Sequence, residues 1–75
     1  MSKIAKLFPD LLSQNVRRVV TDNEQITNMV SLLDINIGTE NYDASQEIIQ
    51  QLQSTLQQLD TDLSAIDSEL DLIIG

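Results

Sequence analysis

Apolar residues recur at alternating steps of three and four along the last third of this 75-residue chain. A period of 3.5 residues is typical of an α-helix that buries one side against a neighbouring helix. No glycine or proline interrupts the run. The pattern therefore predicts a long amphipathic helix over about 44–74. Its apolar positions are Ile49, Leu52, Leu56, Leu59, Leu63, Ile66, Leu70 and Ile73.

A second, less regular ridge lies in the first half of the chain. Pro9 suits the first position of a helix, so we expect an N-terminal arm over 1–8 and a helix over about 9–36. Asn23 occupies an in-register position that is otherwise apolar. Thr21 and Glu24 have the spacing of a capping box, so a kink or break near 21–23 is the alternative to a continuous helix. The apolar positions of this ridge are Leu12, Val16, Val19, Ile26, Val30 and Leu33.

A short connection separates the two predicted helices. The polar, glycine-containing segment 37–43 breaks the periodicity, and we expect Gly38 to end the first helix with a positive φ. Asp43, followed by Gln46, is the expected N-cap of the second helix. A loop this short makes the helices antiparallel neighbours. The predicted fold class is therefore all-α, a helical hairpin forming a single domain over 9–75.

The small size of the chain limits how it can be stabilised. A lone pair of helices buries little apolar surface relative to the entropy lost on folding. The sequence contains no cysteine and no histidine, which argues against disulfides and a structural zinc site. We therefore expect the hairpin to complete a helical bundle by oligomerisation or by binding a protein partner, with the two ridges as the interaction core.

The charge is distributed unevenly along the sequence. The net charge is −8, yet all four basic residues lie within the first 18 positions. An acidic body repels nucleic acid, so we expect no nucleic-acid partner. Neither a secretory signal nor an apolar run of membrane-spanning length is visible, which predicts a cytoplasmic or virion setting without membrane contact. Four acids on the second helix are candidates for an acidic docking face: Asp60, Asp62, Asp67 and Glu69.

Catalytic and metal-binding chemistry has little support in the sequence. Nucleophilic catalysis commonly pairs a serine, threonine or cysteine with a histidine base, and histidine is absent. The segment beginning at Asp60 opens like a calcium loop, but Ala65 stands where the loop needs glycine. We therefore expect no enzymatic activity, no metal or other cofactor and no small-molecule substrate.

Two functions remain as hypotheses. The first is a structural or assembly component that self-associates or packs within a multi-protein complex, such as a phage particle. The alternative is a small acidic inhibitor or regulator, for example a phage-encoded one, that docks on a basic surface of a larger target protein. The width of the apolar stripes favours the first, and the acidic body favours the second.

Overall fold

Two long antiparallel helices make up the fold. The computed structural model describes the backbone of residues 3–75 and the side chains of residues 11–75. Helix α1 spans Lys3–Gly38 and helix α2 spans Tyr42–Ile74, with no strand among the described residues. The molecule measures 59 × 14 × 13 Å, the shape of a single hairpin. The predicted all-α hairpin is confirmed.

The start of α1 differs from the prediction. The helix begins at Lys3, six residues before the expected start, and continues through Pro9. The proline removes one backbone hydrogen bond, but the preceding Ala5, Lys6 and Leu7 are strong helix formers. The expected boundary between an arm over 1–8 and a helix from 9 was therefore wrong for the described part of the arm.

Helix α1 is continuous through the segment where a break was the alternative. Residues 21–24 are helical. The Thr27 hydroxyl donates to the Asn23 carbonyl oxygen at 2.9 Å, a bond within the helix that bridges the end of this segment. The capping-box residues are therefore ordinary helix positions, since the apolar period continues on both sides of them.

The turn between the helices uses a different residue from the one expected. Glu40 adopts φ 60°, whereas no described glycine has a positive φ. The Asn41 amide donates to the Asn36 carbonyl at 2.8 Å and the Glu40 amide donates to the Ile37 carbonyl at 3.0 Å. These two bonds form a Schellman motif, in which the left-handed residue follows the helix end. Gly38 is therefore the last helical residue, and its predicted role as a left-handed cap was wrong.

Helix α2 begins two residues earlier than predicted. Its N-cap is Asn41, and Asp43 lies in the first turn. The Asn41 carbonyl accepts the Ser45 amide at 3.1 Å and the Ser45 hydroxyl at 2.8 Å. A carboxylate in the first turn stabilises a helix through the macrodipole, which accounts for Asp43 near the N-terminus without a capping role.

The hairpin has no buried apolar core among residues 11–75. The contact between the helices, here called the seam, combines half-buried aliphatic side chains with buried polar ones. The buried residues are Asn15, Asp22, Ser45, Thr55 and Asp62. The half-buried aliphatic residues are Leu12, Val19, Ile26 and Leu33 on α1 and Ile48, Leu52, Leu59 and Ile66 on α2.

Candidate interaction surface

Two carboxyl groups meet at the middle of the seam. Asp22 and Asp62 are 7% and 5% exposed. Gln58 donates its side-chain amide to Asp62 at 3.1 Å, while Oδ2 of Asp22 has no partner among the described residues. A hydrogen bond with the Asp62 carboxyl, followed by desolvation and by the charge of Asp62, raises the pKa of Asp22 above its ordinary 3.8. Two ionised carboxylates repel each other at this position, which favours the protonated form of Asp22.

Other polar contacts lie along the same line. The Asn15 side-chain amide donates to Oε1 of Glu69 and accepts a bond from Arg18 at 3.3 Å. Farther towards the turn, the Thr55 hydroxyl lies 3.7 Å from the sulfur of Met29. Because this line of the seam is polar, contact between the two helices leaves much of the aliphatic surface unburied.

A shallow depression lies along one edge of the seam. It is lined by Arg17, Arg18, Thr21, Asp22, Gln58 and Asp62. Its lining mixes both signs of charge. Within the described part of the chain, no three Asp or Glu side chains lie close enough together to hold a metal ion.

The other edge of the seam is flanked by two exposed rows, one on each helix. The α2 row consists of Ile49, Leu56, Leu63 and Leu70, which are 39–47% exposed. The α1 row repeats every seven residues as Val16, Asn23, Val30 and Ile37, and its three aliphatic members are 48–50% exposed. None of these eight residues is charged.

Both rows lie on the same side of the hairpin. On each helix an outer-row residue follows a seam residue by four positions, as Val30 follows Ile26 and Leu63 follows Leu59, which is a rotation of about 40° around the helix axis. Because the helices are antiparallel and face each other, equal rotations bring both rows to one side. The two rows, together with the half-buried aliphatic residues between them, are here called the apolar face.

The opposite side of the hairpin is different in character. There the row beside the seam includes Arg18 and Gln25 on α1 and Gln51 and Gln58 on α2. Arg18 and Gln58 line the same depression, which places these two rows together on the side away from the apolar face. Leu32 and Leu72 also lie on this side and are 51% and 68% exposed. The hairpin is therefore apolar on one side and largely polar on the other.

The predicted interaction core is divided between two positions. Alternate members lie half-buried in the seam, and most of the others form the exposed outer rows. Ile73, near the end of α2, is 48% exposed. All of them therefore border one continuous surface, and its coverage by another chain stays a prediction. The half-buried members are Leu12, Val19, Ile26, Leu33, Leu52, Leu59 and Ile66, and the outer-row members are Val16, Val30, Ile49, Leu56, Leu63 and Leu70.

The four candidate docking acids do not share one surface. Asp62 is buried in the seam and Glu69 is half-buried there, whereas Asp60 and Asp67 are exposed. Sequence reasoning placed all four on the solvated side of α2. It missed the polar line of the seam, whose signal was the seven-residue spacing of Asn15 and Asp22 on α1 and of Thr55, Asp62 and Glu69 on α2.

Comparison of the chain with protein-family models, with curated proteins and with solved structures finds no match. Among the described residues, neither helix has an apolar stretch long enough to cross a membrane.

Proposed function

We propose that this protein is a non-enzymatic helical interaction protein, a structural or assembly component whose apolar face packs against helices of other subunits. The observation that supports this most directly is the row Ile49, Leu56, Leu63 and Leu70, each 39–47% exposed at every second turn of α2. Exposed apolar patches of this extent commonly mark protein interaction sites.

The surface area of the hairpin supports the same function. A compact monomer of 8.4 kDa has about 4600 Å² of accessible surface. This hairpin exposes 5795 Å², which is roughly 1200 Å² more. A stable interface covers about 800 Å² on each partner, so the excess is large enough for one.

The acidic inhibitor remains the second candidate, with less support from the geometry. Of its four docking residues, Asp62 and Glu69 are turned into the hairpin, which leaves Asp60 and Asp67 as its exposed members. Exposed charges mainly influence association rates and contribute little affinity by themselves. The apolar face offers far more surface for binding.

Chemical crosslinking in native cells tests the proposed function. The chain carrying Leu56→Gln and Leu63→Gln should lose its protein crosslinks, since both substitutions place amides on the apolar face. The matched control carries Leu32→Gln and Leu72→Gln on the opposite side and should retain them. Equal crosslinking by both variants would contradict the proposed function, and losses caused by Asp60→Asn with Asp67→Asn instead would favour the inhibitor.

A further inference from the structure

The apolar face has features that select one occupant. We propose that it binds a second copy of this chain, face to face and with the two turns at opposite ends, in a two-fold dimer whose axis passes beside Asn23. This inference rests on the proposed function and names the partner that it requires. Three observations support it: the one-sidedness of the hairpin, the symmetry of its rows and the position of Asn23.

The one-sidedness favours a closed dimer over a larger assembly. The outer rows on one side are aliphatic except for Asn23, whereas the rows on the other side combine the polar Arg18, Gln25, Gln51 and Gln58 with the exposed leucines Leu11, Leu32 and Leu72. A two-fold dimer uses the same patch on both copies, so one contact covers both apolar faces and leaves the polar sides in water. The outer rows carry no charge, so nothing on the contact surface itself selects a basic partner over a second copy.

The exposed row of α2 can pair with the same row of a second copy that runs in the opposite direction. An axis between residues 59 and 60 sets Leu56 opposite Leu63 of the second copy and Ile49 opposite its Leu70. The rows therefore meet as aliphatic pairs along their whole length. Reversed pairing also makes the two α2 helices antiparallel, which is the usual arrangement of neighbours in helical bundles.

The exposed row of α1 can pair with its counterpart in the second copy in the same way, with Asn23 at the centre of the pairing. Val16 and Val30 each lie seven residues from Asn23, so reversal sets Val16 of one copy opposite Val30 of the other. It also sets Asn23 of one copy opposite Asn23 of the other. An amide both donates and accepts, so two asparagines can bond to each other, and a buried asparagine of this kind fixes register between helices.

The hairpin places Asn23, the centre of the α1 pairing, at nearly the same level along its length as the midpoint of the α2 row. Thr21 and Asp22 share a depression with Gln58 and Asp62, so residues 58–62 of α2 lie beside 21–22 of α1. Asn23 is thus close to the level of residues 59 and 60, and one axis serves both helices. With both turns at the same end, α1 would instead face α2 of the second copy, and Asn23 would lie among leucines without a polar partner.

Single cysteines test the arrangement, since the chain has none of its own. Disulfides form between Cα atoms about 4.4–6.8 Å apart. Purified Asn23→Cys should oxidise to a disulfide-linked dimer of twice the 8.4 kDa chain mass. Gln25→Cys, on the polar side, should remain an uncrosslinked single chain. Val16→Cys and Val30→Cys should crosslink when mixed, and neither should crosslink with itself.

Sedimentation equilibrium of the unmodified chain completes the test without any substitution. The mass should be twice that of the chain at micromolar concentration. A single-chain mass would overturn the dimer, as would crosslinking through Gln25→Cys in place of Asn23→Cys. Self-crosslinking of Val30→Cys would overturn the proposed axis. A single-chain mass together with crosslinks in native cells that Leu56→Gln and Leu63→Gln abolish would end this inference and leave the proposed function standing.

Discussion

Replacing two leucines of the apolar face with glutamine should weaken association severely. Burying a leucine fully stabilises by about 1.5–3 kcal/mol. Leu56 and Leu63 are 46% and 47% exposed in the hairpin, so about 1 kcal/mol for each remains to be gained on docking. Two leucines in each of two copies contribute about 4 kcal/mol, which corresponds to roughly a thousandfold change in Kd.

The assay is sedimentation equilibrium over a range of concentrations. The double variant Leu56→Gln and Leu63→Gln should dissociate about a thousandfold more readily than the unmodified chain. The control with Leu32→Gln and Leu72→Gln removes leucines of at least equal exposure from the opposite side and should keep the original Kd. Glutamine is a good helix former, so far-UV circular dichroism should still show helix in the control. Equal weakening by both variants would refute the assignment of the apolar face.

Three further predictions concern the turn and the seam, each measured by thermal unfolding. Gly38→Ala should raise the free energy of unfolding by about 0.5–1 kcal/mol, because Gly38 is helical and a Cβ there meets nothing within 4 Å. A decrease in stability would mean that Gly38 is the left-handed cap. Glu40→Gly should stabilise by about 1 kcal/mol or less by relieving a left-handed residue, and destabilisation would contradict the Schellman geometry. Stability should fall as the pH rises from 3.8 through the raised pKa of Asp22, because the folded state binds more protons than the unfolded state in this range. Asp62→Asn should reduce this dependence on pH, since the hydrogen bond and the charge of Asp62 both raise the pKa of Asp22, whereas Asp67→Asn at an exposed position should keep it. An unchanged dependence in Asp62→Asn would count against the carboxyl pair.

Much of the fold could be predicted from periodicity alone. The ridge from Ile49 to Ile73 predicted α2 almost to its last residue, because a 3.5-residue period in aliphatic positions has no other common structural explanation. The antiparallel hairpin followed from the short connection. The start of α1 could not be placed, since one proline lowers helix stability locally and strong neighbouring helix formers can outweigh it.

The contacts within the hairpin were harder to predict. An apolar stripe wider than one neighbour can cover does not reveal which of its edges the adjacent helix takes. The helices meet at the edge that includes Asp22 and Asp62, which leaves Leu56 and Leu63 exposed. Burial of like-charged carboxyls is unfavourable in general, so the seven-residue spacing of these polar residues was not by itself enough to choose this edge. The prediction for the turn was wrong for a related reason: Glu40 has the positive φ, and glutamate is uncommon in a left-handed cap.

The most direct test of the apolar face is solvent accessibility measured methyl by methyl in the purified protein. A soluble paramagnetic probe broadens the NMR signals of methyl groups that it can approach. In the lone hairpin, Leu63 and Leu32 are 47% and 51% exposed, so the probe would broaden them alike. Packing of a second chain on the apolar face predicts that the Leu56 and Leu63 methyls are protected while those of Leu32 and Leu72 are broadened. Equal broadening of all four would contradict it.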